Sequence, residues 1–344
     1  MGLAVTLEGP GKVGIQEYED PPLRPREVRL RTLYSGISAG TELTAYRDSN
    51  PYLSKRWDGE RRLFLDGEVS LRYPIDRWGY EEVGEVAEVG PEVEGVRIGE
   101  VVWGTWGHRS TAVVGEEWAA QRRLAQGVDA IVGIFSRIGA IALNAVLDAD
   151  VHAGEYVAVF GQGVPGLIAD QIARLNGGTV IAVDGITTRL KLAEELGAAH
   201  VVDFTKQSPA EEIKALTDNR GADVSIEISG SYSALHEAIR STAYNSKVVS
   251  SGFYQGEGTG LFLGQEFHHN RINLISSQIH GISLALDHRW TIERLERSVM
   301  GLAAEGRILL KPLVTHVLGF EEAGEAFRLL DEEPEEAVQV VLEF

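Results

Sequence analysis

Residues 156–184 read YVAVFGQGVPGLIADQIARLNGGTVIAVD, and this stretch decides the fold. An apolar run of strand length meets three glycines at Gly161, Gly163 and Gly166, then a helical pattern, then a second apolar run ending in Asp184. A G-x-G-x-x-G turn between a strand and a helix is the arrangement that receives a dinucleotide. The first glycine allows the tight turn, the second lets backbone approach a diphosphate, and the third lets helix and strand pack closely. Val164 and Pro165 open the helix. In that first turn Pro165 breaks no helical hydrogen bond, although it removes one N–H that a phosphate would use. Asp184 stands near the spacing expected for the carboxylate that accepts adenosine ribose hydroxyls, and a 2′-phosphate there would meet a negative charge. NAD is therefore expected over NADP, with Arg189 covering the adenine side.

Outward from this stretch, the alternation of strand and helix continues through RLKLAEELGA, AHVVDF, ADVSIEIS, SALHEAIRSTAY, KVVSSGFY and NLISSQIHG. Such repetition predicts a parallel sheet with crossover helices. Upstream, residues 28–40, 81–104 and 110–115 alternate Val with Glu or Arg and are broken by Gly and Pro, which reads as half-exposed β-structure. After Gly281 the helical WTIERLERSVMGLAAEG leads to PLVTHVLGFEEAGEAFRLLDE and a last strand, AVQVVLEF. The expected fold class is α/β: a mostly-β domain over 1–135, a doubly wound parallel-sheet domain over 136–281, and a return to the first domain over 282–344.

Composition narrows the function. The chain has 344 residues, 44% hydrophobic and 24% charged, enough for two cores. A formal net charge of -19 repels nucleic acid and anionic lipid, so no nucleic-acid partner is expected. With no cysteine, disulfides, thiolate nucleophiles and Cys-ligated metal sites are excluded. The N-terminal segment MGLAVTLEGPGKVGIQEYED lacks a basic-then-apolar signal, and no apolar run reaches the roughly 18 residues of a membrane span. A cytoplasmic protein without a membrane partner is the expectation.

YSGISAGTE at 34–42, GYEEVGEVAEVG at 79–90, VAVFGQGVPG and PLVTHVLGFEEAGEAFRLL follow one another over nearly the full length. In this order they resemble the medium-chain dehydrogenase/reductases: a GroES-like domain, a Rossmann domain and a C-terminal return. The YSGIS…GTE and GYE variants resemble that superfamily's bacteriochlorophyllide dehydrogenase-like branch. Where zinc-type members carry metal ligands, the resemblance aligns Ser38, Tyr80 and Ser136, and WGTWGH leaves no room for a structural-zinc loop. Hydroxyls and a phenol do not replace thiolate or imidazole as zinc ligands. The resemblance thus implies a zinc-independent oxidoreductase with no bound metal. Glu81 matches the family's GHE-like acid, for which a buried charge pair or a catalytic role is expected, and Thr41 aligns with its proton-relay hydroxyl. Ser229, Gly230, Ser251, Gly252 and Phe253 match positions whose backbone lines the cofactor. Gln339 stands where alcohol dehydrogenases place a pyrophosphate-binding Arg, and LISSQIHG resembles the edge strand of a homodimer.

Without zinc, something must take the hydroxyl proton and stabilise the developing alkoxide. Tyr80 is the first candidate, needing either a cationic neighbour or a hydroxyl relay through Ser38 and Thr41. The alternative is that it fills the vacated cavity against Ser38. The long stretch between Glu42 and Gly79 is rich in Arg, Tyr and Trp, and reads as a lid. Arg47, Lys55, Arg56, Arg61, Arg62, Arg72 and Arg77 would meet an anionic or polyhydroxylated substrate, with Trp57 and Trp78 stacking on a ring. His108 and His269 are further substrate-side candidates, and His268 with His269 lacks a third metal ligand. The favoured activity is hydride transfer between NAD and a hydroxyl or ketone of a sugar-, cyclitol- or glycoside-like substrate. A zinc-free quinone or enoyl reductase, or a non-catalytic dinucleotide-binding protein, are the alternatives.

Overall fold

The computed structural model describes residues 1–283 and 285–344. The chain divides into two compact units, Met1–Arg137 with Lys311–Phe344, and Ile138–Leu310.

In the first unit β1 (Gly2–Gly9) and β2 (Lys12–Tyr18) form an antiparallel hairpin. Next come β3 (Glu27–Ile37), the short helices α1 (Glu42–Tyr46) and α2 (Pro51–Ser54), and a small hairpin of β4 (Arg56–Asp58) and β5 (Leu63–Leu65). The strands β6 (Glu82–Val89), β7 (Val101–Gly104) and β8 (Thr111–Gly115) and helix α3 (Glu116–Ala120) follow. Helix α4 (Phe135–Ala149) leads into the second unit. By length and composition alone, the helical stretch Ala130–Ala149 would suffice to cross a membrane, which the sequence reading missed; 78% of its window is buried inside the fold, as expected of a core helix.

The second unit alternates β9 (Tyr156–Phe160), α5 (Val164–Leu175), β10 (Thr179–Asp184), α6 (Thr187–Glu195), β11 (His200–Asp203), α7 (Pro209–Leu216), β12 (Ala222–Glu227), α8 (Tyr232–Ser241), β13 (Thr242–Ser250), β14 (Asn273–Ser276) and α9 (Ile292–Ala304). Its sheet runs β11-β10-β9-β12-β13-β14 with every pairing parallel. The order reverses between β9 and β12, the switch point where doubly wound sheets bind ligands. Apolar runs such as VAVF are buried on both faces, as helix-covered parallel strands require.

Finally β15 (Val314–Gly319), α10 (Ala323–Glu332) and β16 (Gln339–Glu343) rejoin the first unit, whose main sheet runs β15-β16-β3-β6-β7 with β8 also on β3. This return starts at Lys311 and not at 282. The reason is packing: α9 buries Leu295, Val299 and Met300, and a Cβ added to Gly139 on α4 would stand 2.5 Å from Val299 Cγ1. The helix therefore belongs to the second core.

Candidate functional site

In the second unit the glycine turn has the form its sequence implies. Gly161 adopts φ +100° directly after β9, and a Cβ on Gly166 would fall 1.8 Å from the Gly161 carbonyl oxygen, so α5 packs at a distance only glycine permits. In front of Gly163, by contrast, an added Cβ would meet nothing nearer than Pro165 Cδ at 3.9 Å. Gly163 caps α5 without a side-chain bond, leaving the first helical N–H groups for an anion. These residues fit a dinucleotide diphosphate.

Asp184 departs from expectation. Its Oδ2 accepts from the Gln162 N–H (2.6 Å) and its Oδ1 from the N–H groups of Gly185 (2.7 Å) and Ile186 (2.9 Å). A carboxylate offers about four acceptor sites. Asp184 thus has one left rather than two for ribose hydroxyls, although its charge still opposes a 2′-phosphate. Arg189 lies half-buried in the first turn of α6. Gln339 is buried in β16, where its amide donates to the carbonyls of Ile37 (3.1 Å) and Val340 (3.0 Å). Ser229, Gly230, Ser251, Gly252 and Phe253 lie in the turns beyond β12 and β13, beside the switch point.

In the first unit the turn after β3 and the segment before β6 bring three hydroxyls together. Tyr80 OH is 2.5 Å from Ser38 Oγ and 3.3 Å from Thr41 Oγ1, so the three hydroxyls expected to form a relay are in hydrogen-bond contact. Among the described residues, no cation figures in the electrostatics of the Tyr80 hydroxyl. Burial, and then the Glu81 charge, push the Tyr80 phenol well above its ordinary value of 10, while the Ser38 and Thr41 bonds pull the other way. Tyr80 is a neutral donor at physiological pH, not a phenolate base.

Among the described residues Glu81 forms no charge pair. Its side chain is fully buried, neither carboxylate oxygen has a hydrogen-bond partner, and burial with Glu42 and Glu82 nearby raises its pKa well above the carboxylate range. A neutral carboxyl is the state that fits. Ser136 is likewise buried with an unpartnered Oγ.

His108, expected on the substrate side, is buried, and both of its ring nitrogens are engaged by protein groups. Its Nε2 is 2.6 Å from Glu42 Oε2 and its Nδ1 is 2.6 Å from Ser35 Oγ. Register supplies the next link: Ser35 on β3 stands opposite Glu82 on β6, and Ser35 Oγ donates to Glu82 Oε1 over 3.3 Å. Glu42 Oε1 accepts from the Ser38 N–H (2.8 Å), so the same carboxylate that holds His108 fixes the turn carrying Ser38 and Thr41. Sequence reading missed Glu42, Glu82 and Ser35 as members of one network. Adjacent acids at Glu81 and Glu82 entering an apolar strand were the available signal. Among the described residues no group of three or more His, Cys, Asp or Glu has an arrangement that could hold a metal ion.

The cationic lid is largely self-neutralised. Lys55 pairs with Asp66, Arg56 and Arg61 with Asp58, and Arg72 with Glu68, while Arg47 is tied to Asp331 on α10. Trp78 is half-buried, packed against the core, with its Nε1–H on the Glu42 carbonyl (3.3 Å). Only Trp57 keeps an exposed ring, tilted against Phe64 on the β4–β5 hairpin. His269 is exposed and bonds the Gln265 carbonyl through Nδ1 (3.0 Å).

The second unit is doubly wound with an open glycine turn, and the first unit, by itself, carries a cluster of hydroxyls. The family profile described as Zinc-binding dehydrogenase matches residues 165–296, which include none of Ser38, Tyr80 or Ser136. D-guloside 3-dehydrogenase of Escherichia coli (strain K12) is 28% identical over 342 residues, covering 97% of this chain and 98% of that protein. Two solved structures share the fold. They are 2R,3R-butanediol dehydrogenase from Bacillus subtilis (TM-score 0.79, 24% identity, 100% of both chains) and a putative zinc-binding dehydrogenase from Sinorhizobium meliloti bound to NADP (TM-score 0.78, 20% identity, 100% of this chain and 99% of that one). Over nearly its whole length the chain is thus similar to dehydrogenases of the medium-chain dehydrogenase/reductase type, which supports an NAD(P)-dependent dehydrogenase.

Proposed function

We propose that the protein is a zinc-independent, NAD-dependent dehydrogenase that moves hydride between the nicotinamide and a secondary hydroxyl or ketone of a sugar- or glycoside-like substrate. The observation that carries this reading is the cluster of Tyr80, Ser38 and Thr41 hydroxyls at positions which, by resemblance, zinc-type relatives give to metal ligands and the proton relay. When bound, the cofactor supplies the hydride acceptor. Tyr80, kept neutral, donates a hydrogen bond to the substrate oxygen, which stabilises a developing alkoxide or polarises a ketone. Ser38 and Thr41 orient that phenol and offer its proton a hydroxyl path. Glu42 holds the Ser38 backbone in place through its own carboxylate.

The name of the guloside relative supports a glycoside-like substrate. Asp184 supports NAD, since a 2′-phosphate beside its buried carboxylate would meet like charge. The exposed Leu274 on edge strand β14 supports association of two copies through that edge. Incubation with NAD and a panel of methyl glycosides and polyols, followed at the NADH absorbance, tests the reading. Reduction of NAD by at least one glycoside is expected; NADH binding without turnover on any panel member would overturn the substrate class.

A further inference from the structure

Three turns meet at the switch point, and their contact is closer than any side chain allows. A Cβ on Gly161 would lie 2.7 Å from Ser229 Cβ, one on Gly230 would lie 2.9 Å from the Phe253 carbonyl oxygen, and one on Gly252 would lie 2.2 Å from the Gly230 nitrogen. At the hub stands Glu227, the last residue of β12, with no exposed surface. Its backbone carbonyl accepts from the N–H groups of Ser251 (2.8 Å) and Gly252 (3.2 Å). Its Oε1 accepts from the Ser229 N–H (2.8 Å), the Ser229 hydroxyl and the Gly230 N–H (3.2 Å), and its Oε2 from the Gly230 N–H (3.3 Å) and the Tyr254 hydroxyl. Tyr254 leans on Tyr232, ring centroids 5.1 Å apart, and the Tyr232 hydroxyl donates to the Gly256 carbonyl (3.1 Å). One carboxylate therefore ties the turn after β12 to the turn after β13.

A doubly wound sheet is two mononucleotide-binding halves, with the diphosphate at the first helix N-terminus between them. β9, β10 and β11, with α5 and Asp184, form the half that takes adenosine and diphosphate. The remaining half, β12 to β14, is left for the nicotinamide riboside, and the clamped turns end two of its strands at the crevice. Apolar packing alone would hold these turns together, but charge-assisted hydrogen bonds also fix their direction.

We propose that Glu227 and Tyr254 are positioning residues that preform the floor for the nicotinamide riboside half of the dinucleotide. This rests on the dinucleotide reading of the glycine turn and adds a division of labour within it. Tyr254→Phe keeps the ring on Tyr232 and removes only the donor. It is expected to weaken NADH binding, followed by nicotinamide fluorescence, by about tenfold, the scale of one lost hydrogen bond to a charged group. ADP binding, followed by calorimetry, should stay within twofold, because ADP lacks the nicotinamide riboside. Glu227→Gln, if it folds, should shift the NADH-to-ADP ratio the same way, and Tyr254→Phe carries the test if it does not. Parallel losses for NADH and ADP, or an unchanged ratio, would overturn the proposal while leaving the cofactor reading intact. A wild-type protein that binds neither NADH nor ADP would overturn both.

Discussion

His108 Nε2 lies 2.6 Å from Glu42 Oε2, and both side chains are 1% exposed. Burial alone would lower the His108 pKa, but the charge and hydrogen bond of Glu42, with Glu82 behind them, outweigh it and move the pKa up. An imidazolium satisfies the geometry: Nε2–H donates to Glu42, Nδ1–H donates to Ser35, and Ser35 remains free to donate to Glu82. The pair matters for function because Glu42 also holds the turn of Ser38 and Thr41.

Breaking that pair from one side leaves a buried charge without its partner. His108→Leu is expected to destabilise the protein by about 3–5 kcal/mol, and adding Glu42→Gln should recover part of the loss. Denaturant unfolding of the two single variants and the double variant checks this. Additive losses would mean that the two groups do not interact as the distance implies.

Burial pushes the Glu82 carboxyl from 4.5 up to about 7, against the pull of His108 and of the Trp106 N–H. A raised carboxyl pKa means that the folded protein keeps a proton which the unfolded chain has already released between pH 4.5 and 7, so stability falls as pH rises through that window. Glu81, its pKa also raised by burial, acts in the same sense. His108 does too: its contribution is full below its ordinary 6.5 and is lost as pH climbs through its raised value. The thermal midpoint should therefore drop from pH 5 to pH 8. Glu82→Gln should flatten the slope by on the order of 2–3 kcal/mol over the window. A slope that Glu82→Gln leaves unchanged would show that this carboxyl does not titrate there.

Much of this was legible in the chain itself. Local order carries the glycine turn: strand, Gly161, Gly163, Gly166 and helix lie within one short segment, and the third glycine contacts the first. Ser38, Thr41 and Tyr80 came from the family resemblance of their motifs, and their hydroxyls do meet. What escaped depends on pairing between distant segments. The Ser35–Glu82 contact exists only because β3 and β6 pair in one register, and His108 reaches Glu42 across 66 positions. Nor does sequence tell whether a polar group is already spent. Arg47 is occupied by Asp331 and the Gln339 amide by backbone carbonyls. Helix α9 read as part of the return because its amphipathic pattern shows that it packs without showing on which core.

On the proposed NAD reading, Asp184 acts mainly through its charge, since three of its acceptor sites are taken by the N–H groups of Gln162, Gly185 and Ile186. NADH should bind at least about tenfold more tightly than NADPH, and Asp184→Asn should narrow the gap mainly by improving NADPH binding. Fluorescence titration with both nucleotides decides it; equal wild-type affinities would remove the case for NAD.

Tyr80→Phe deletes one hydroxyl from the cluster and keeps the ring. Turnover of a glycoside is expected to fall by about 10²–10³, with KM changed far less, because the lost hydrogen bond matters most as charge builds on the substrate oxygen. Unchanged kcat would reduce Tyr80 to a filler of the cavity beside Ser38.

The central claim is that side-chain hydroxyls do here what a zinc ion does in metal-dependent relatives. The direct measurement is NAD reduction by a glycoside substrate, before and after exhaustive treatment with a strong chelator, with zinc content followed by elemental analysis. Full activity at far less than one zinc per chain is the expected result. Activity that vanishes on chelation and returns with added Zn²⁺ would contradict it.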